Sequence, residues 1–286
     1  MSNLLFIRRI TGIAALLIIT SSVFLMAQSE KDNNAALMAQ ADTLLSREDY
    51  TGALALYNKI IEKSKTVGDE DYSVYYKRAF CYYGLERFDE ALKDVNQFIQ
   101  KKPDDQAKLL RAYVNQELGN HEDQLKDINE FISAHPDNIE LLQWRASVYM
   151  EMERYKDAQK DIQEILKYQD SPELKAYLGL TYYYQNQPDS ALTIFDEVIA
   201  KDPDNIQTYL YAASLSLEQD AYELALQYID MGLKKDPNNN TLWFYKGIAL
   251  VETDKVTEGC RCLTKVFAAG FDDAGDYLKS YCYGVN

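Results

Sequence analysis

The sequence predicts an all-α fold built from a row of similar helix pairs, and three observations predict it. Small residues recur at a nearly constant step: Ala41, Ala79, Ala112, Ala146, Gly179, Ala213 and Gly247 are separated by 38, 33, 34, 33, 34 and 34 residues. Twelve residues beyond each stands a second series: Ala53, Ala91, Gln124, Ala158, Ala191, Ala225 and Gly259. Twenty-four residues beyond, Pro103, Pro136, Pro203 and Pro237 follow in four of the seven units, and in the fourth unit the proline slips by two to Pro172. A fixed period of this length marks an array in which each unit is one supersecondary element that buries its apolar face against its neighbours.

Each element of the unit has a physical reason. Two stretches of about 13 residues, with apolar residues at i, i+3 and i+4, read as amphipathic helices A and B. Short polar breaks such as GLERF, QNQPD and EQDAY separate them. Helix A carries the first small residue and helix B the second, because a large side chain where two antiparallel helices cross would push their axes apart. In the fifth unit Tyr182 and Phe195 then fill the space around the crossing. Proline after helix B cannot continue a helix. In KKPDD, AHPDN, KDPDN and KDPNN it is joined by Asp or Asn, which can cap the next N-terminus. All six prolines are expected between helices, Pro188 in the A–B turn.

The run Leu178-Gly179, Tyr182, Ala191, Phe195, Pro203 resembles the tetratricopeptide repeat family. The first aromatic residue of that pattern is replaced by Lys175, whereas Trp243 holds the place in the last unit. The resemblance implies a right-handed superhelical solenoid of about seven helix pairs over residues 34 to 271. The expected units lie near 34–70, 72–104, 105–138, 139–171, 172–205, 206–239 and 240–271, within an array spanning 28–271. Gln124 and Gly259 depart from the small-Ala rule, and Gln124 suggests a looser A–B contact. The enlarged linker SKTVGDEDYS is the expected place for local flexibility. After Gly270, residues 272–286 are read as a C-terminal capping helix and tail, with Ala274, Tyr277, Leu278 and Tyr281 on one side.

The N-terminus reads separately. Arg8 and Arg9 precede an apolar run from Ile10 to Ala27, and that pattern predicts a secretory signal peptide over residues 1–27, with an uncleaved anchor as the alternative. Either way the body of the chain is expected outside the cytoplasm, in a bacterial periplasm or at the outer membrane. The formal net charge is −15. So acidic a surface repels nucleic acid and anionic lipid headgroups, so neither is an expected partner and no stable membrane insertion is expected after cleavage.

An exported chain can form disulfides. If the last helix B folds back on the capping helix around Gly270, Cys260 and Cys282 lie opposite one another, whereas Cys262 points about 200° away from Cys260. Cys260–Cys282 is the preferred pair, which resembles the cysteine placement of similar bacterial capping units; three buried reduced thiols are the alternative. Cys81 reads as a core thiol. His121 and His135 fall at turns, and no spaced His, Cys and carboxylate cluster, Gly-rich phosphate loop or nucleophile motif occurs in the sequence. No catalytic activity, metal or cofactor is therefore expected.

In the family resembled, helix A residues away from the A–B contact line a concave binding face. Here that implies Tyr76, Phe80, Tyr83, Tyr113, Trp144, Tyr177, Tyr184, Tyr211 and Tyr245 as partner-binding residues, with Gln143, Ser147, Tyr183 and Phe244 beside them. Of these, Tyr76, Trp144, Tyr184 and Tyr245 are expected to stand open, and many of the others to pack between repeats. Tyrosine and tryptophan give large contact area with a hydrogen-bonding tip. Lys77 is nearly alone as a cation there, so the basic clamp some relatives use for acidic tails is not implied. The expected partner is a protein segment, either an extended peptide or a helix. A carbohydrate ligand is the alternative, and self-association into a homo-oligomer is a third reading.

Overall fold

A computed structural model describes residues 33–67 and 71–282. The apolar N-terminal segment lies outside the described residues, as do residues 68–70 of the enlarged linker. Among the described residues all regular structure is helical. The A helices are α1 (33–45), α3 (Ser73–Gly84), α5 (Asp105–Glu117), α7 (Ile139–Glu151), α9 (Pro172–Tyr184), α11 (Ile206–Glu218) and α13 (Asn240–Glu252). The B helices are α2 (Tyr50–Val67), α4 (Phe88–Lys101), α6 (His121–Ala134), α8 (Tyr155–Leu166), α10 (Pro188–Lys201), α12 (Tyr222–Lys235) and α14 (Val256–Ala268). A short α15 (Ala274–Tyr277) runs into a π-helical turn, Leu278–Cys282.

The chain forms two compact units, one up to Ser133 and one from Ala134. The first packs α2 on α3, α3 on α4 and α4 on α5 around Tyr57, Val95 and Phe98. The second packs α7 to α14 in succession around Phe195, Tyr209, Leu215 and Ile229. Each fully buried side chain of this size stabilises the fold by about 1.5–3 kcal/mol before the entropy of ordering is counted.

The A–B turn obeys one rule in every unit. The residue seven beyond the first small residue is left-handed: Glu48, Glu86, Gly119, Glu153, Asn186, Asp220 and Asp254 have φ between 54° and 68°. Only one of these seven is glycine, although the conformation costs a residue with a Cβ about 1–2 kcal/mol. The B–A junctions are closed by side chains. Asp104, Asn138, Ser171, Asn205 and Asn239 accept a hydrogen bond from the backbone N–H three residues on. These are the acids and amides of the proline motifs, together with Ser171 before Pro172.

A buried ion pair recurs 16 residues apart. Arg78 donates to both carboxylate oxygens of Asp94 at 2.6 and 2.7 Å, Arg111 to those of Asp127 at 2.8 and 2.6 Å, and Arg145 to those of Asp161 at 2.8 and 2.6 Å. Each joins helix A to helix B of its own unit, and all three aspartates are buried. Arg78 also reaches Asn58 and Arg111 reaches Asn96, on the preceding B helix. In the sixth unit Tyr228 donates to Asp196 of the preceding B helix at 2.8 Å, so a different residue makes the inter-unit bond.

Several expectations are corrected. Gln124 is fully buried and donates to Gln116 of the facing helix at 3.2 Å. Pro172 and Pro188 are not between helices but open α9 and α10, where a missing N–H costs nothing. The capping segment is not one regular helix. Its α-helical part is four residues long, and the wider π turn follows, placing Cys282 against α14. Cys260 and Cys282 are joined there, with Sγ atoms 2.00 Å and Cα atoms 5.8 Å apart. Cys81 and Cys262 are free and buried, and burial pushes the Cys81 thiol up to about 11.

Candidate partner-binding site

The A helices of both units carry exposed aromatic residues. In the first unit Phe80 and Tyr113 are exposed, whereas Tyr76 and Tyr83 are half-buried. Tyr76 does not stand open as expected: it stacks on Phe98 of α4 at 5.3 Å and meets Phe80 edge-on at 5.2 Å. Tyr83 rests edge-on against Phe88 at 5.7 Å. Lys77 is held by both carboxylate oxygens of Asp42 at 2.9 and 2.7 Å, and Tyr57 donates to the same carboxylate.

The second unit carries the richer surface. Tyr177 and Tyr184 are 52% and 50% exposed, while Trp144, Tyr211 and Tyr245 are half-buried. Tyr184 stacks on Tyr155 at 4.8 Å with planes 17° apart, and its ring lies 4.9 Å from that of Tyr183. Phe244 leaves the face altogether. It is buried under the C-terminal cap, 5.0 Å from Phe271 and 5.5 Å from Tyr277.

Two cavities of this unit are lined by its A-helix tyrosines. One, of about 420 Å³, lies where α7, α8 and α9 meet; Ile162, Ile165, Met150 and Leu174 line it beside Tyr177 and Glu151. Helix α8 has 12 residues where α4, α6, α10 and α12 have 14. That shortening accompanies the two-residue proline slip to Pro172. The other, of about 410 Å³, is walled by Tyr183 and Tyr184 from α9, Leu210, Tyr211 and Ser214 from α11, and Tyr245 from α13. Spacings of three and four place these side chains on one face of each helix. Glu218, which is not part of the lining, accepts hydrogen bonds from two lining residues, the Tyr183 hydroxyl and Ser214, the latter at 3.5 Å. Burial and that carboxylate hold the Tyr183 phenol well above its ordinary pKa.

Of the expected residues, Tyr184, Tyr211 and Tyr245 thus share a cavity, and Tyr177 lines the neighbouring one. Sequence reasoning missed Leu210, Ser214, Glu218, Met150 and Tyr155. Leu210 follows from helical spacing around Tyr211, but the role of Glu218 carries no local signal. Among the described residues no group of three or more His, Cys, Asp or Glu could hold a metal ion, and no helix is long and apolar enough to cross a membrane.

Comparison with known families agrees with the array of helix pairs. Tetratricopeptide repeat models match residues 24–66, 77–139, 139–172 and 182–245. The chain belongs to the tetratricopeptide repeat family. Arrays of these repeats are scaffolds for protein–protein contacts. Solved structures share the fold. The C-terminal part of a repeat protein from Cytophaga hutchinsonii superposes with a TM-score of 0.63 at 17% identity, covering 84% of this chain and 98% of that one. A tetratricopeptide repeat protein from Parabacteroides merdae gives 0.54 at 18% identity, covering 86% and 97%. MamA gives 0.51 at 15%, covering 57% and 96%. At these identities the likeness is one of fold. No curated protein sequence matches the chain.

Proposed function

We propose that this tetratricopeptide repeat protein is a non-catalytic scaffold of the bacterial cell envelope that binds an extended peptide or partner helix on its aromatic A-helix faces. The observation that carries the reading is the exposure of Phe80, Tyr113, Tyr177 and Tyr184, four large aromatic side chains at 38%, 43%, 52% and 50%. Exposed rings of this kind offer a partner large apolar contact area. A preformed helical face also limits the ordering cost of association. The envelope location rests on the basic and apolar N-terminus, residues 1–27.

The test is capture from a cell-envelope extract by the chain from Gln28 onward and by a variant with Tyr113, Tyr177 and Tyr184 changed to Ala. A protein retained by the first and lost by the folded variant supports the reading; equal capture by both sends attention to the B-helix faces. The Tyr155–Tyr184 stack, of which Tyr184 is exposed, favours a second reading, a sugar ligand, because pyranose faces pack on such rings. A glycan array separates the two, and light scattering separates both from self-association.

A further inference from the structure

We propose that the tyrosine-walled cavity of the second unit is a receptor for an arginine side chain presented by the protein partner. This rests on the scaffold reading above and adds the chemistry of recognition. Three rings, Tyr183, Tyr184 and Tyr245, come from two different A helices, and Tyr211 adds a fourth from the helix between them. Ring faces are electron-rich and attract organic cations, most strongly where water is excluded. Glu218, an exposed carboxylate, accepts from Tyr183 and Ser214, which ties a negative charge to two side chains of the lining.

The cavity contains no cation of its own. Its lining consists of apolar, hydroxyl and amide side chains besides the tyrosines. Among the described residues, the chain's own stacked cations sit on other rings: Arg87 on Tyr82, Arg154 on Tyr149, Lys246 and Lys265 on Trp243. The aromatic rings that this fold neutralises internally are therefore elsewhere. The charge balance points the same way, since a chain of net charge −15 draws basic segments. Guanidinium is favoured over ammonium because it is planar, stacks on rings and is more weakly hydrated.

The probes are N-acetyl, C-amidated Gly-Arg-Gly, its lysine analogue, and its citrulline analogue, which keeps the shape and loses the charge. Each is titrated against the chain from Gln28 onward by saturation-transfer NMR. The arginine peptide is expected to bind about tenfold tighter than the citrulline peptide, with lysine between them. Raising the salt from about 0.05 to about 0.5 M weakens arginine and lysine binding and leaves citrulline binding unchanged. Glu218→Gln and Tyr184→Leu each lower arginine affinity about three- to tenfold, whereas Tyr184→Phe, which keeps the ring, does not. Unchanged circular dichroism shows that each variant is folded. Citrulline binding as tight as arginine, lysine binding tighter than arginine, or no saturable arginine binding up to about 10 mM overturns the proposal. Capture of a partner without arginine-peptide binding defeats this assignment alone. Arginine-peptide binding without any captured partner defeats the scaffold reading instead.

Discussion

Gly179 lies against Phe195, 16 residues on in the facing helix: a Cβ on Gly179 would be 2.5 Å from the phenyl Cε1. At the same spacing Ala79, Ala112, Ala146 and Ala213 pair with the buried Val95, Ile128, Ile162 and Ile229, Gly179 and Gly247 with Phe195 and Leu263, and Ala41 with Tyr57. The trade of volume therefore belongs to the Gly179 crossing and not to the whole array. Gly179→Ala is expected to lower stability by about 1–3 kcal/mol, despite alanine's better helix propensity, because the fully buried ring cannot move aside. Gly179→Ala with Phe195→Ile should recover most of the loss, as it reproduces the sixth unit. Urea denaturation of the two variants measures both, and a stabilising Gly179→Ala would refute the volume trade.

The left-handed turn residue offers the opposite kind of change. Glu153→Gly is expected to raise stability by up to about 1 kcal/mol, the relief of strain being partly offset by greater freedom of the unfolded chain. Gly119→Ala is expected to lower it by about 1 kcal/mol, and chemical denaturation resolves the two signs.

Asp127→Ala should cost about 3 kcal/mol, because the largely buried Arg111 loses its carboxylate. Replacing Arg111 and Asp127 together by Leu and Ile should cost far less. The fifth unit already has Leu178 and Ile194 at these two positions, packed in one apolar cluster. A double-mutant cycle by thermal melting checks the coupling.

Stability is expected to fall on the alkaline side. Burial and the carboxylate of Asp42 raise the Tyr57 phenol, and burial and Asp196 raise that of Tyr228, both above the ordinary value of 10.0. A raised folded pKa means the stabilisation is fully present below pH 10 and is lost as pH rises towards the folded value. The unfolded chain then ionises while the folded one does not, at about 1.4 kcal/mol per pH unit for each phenol. Melting temperatures from pH 8 to 11 measure the slope, and Tyr228→Phe should flatten it.

Reduction of Cys260–Cys282 should destabilise the C-terminal cap by about 3 kcal/mol, given the sequence separation of 22. Hydrogen exchange should accelerate in residues 274–282 and around Phe244, and leave α9 and α10 unchanged.

The small-residue ladder, the proline motifs and their caps were legible because each reflects a rule that acts within about 25 residues. The Arg–Asp pairs were legible in principle, as Arg78, Arg111 and Arg145 each precede an Asp by 16, but the signal lies in the repetition and not in any one unit. The left-handed Glu48, Glu86 and Glu153 were not legible, since glutamate has no preference for that conformation and the turn around it imposes it. Helical position alone places Tyr76 in the open and Phe244 on the concave face. What buries them, Phe98 in one case and the folded-back cap in the other, is a tertiary neighbour. The tyrosine cavity is a mixed case: its rings follow from helix phase, but its union across three helices does not.

The central claim is that a partner protein docks on the A-helix face, and site-specific photocrosslinking in living cells tests it most directly. A benzophenone amino acid would replace Tyr177 or Tyr184 in one set of cells, and Met231, an exposed residue of helix α12, in another. The account predicts a discrete protein adduct from Tyr177 and Tyr184 that is missing from Met231. Adducts from Met231 alone, or the same adducts from all three positions, would contradict it.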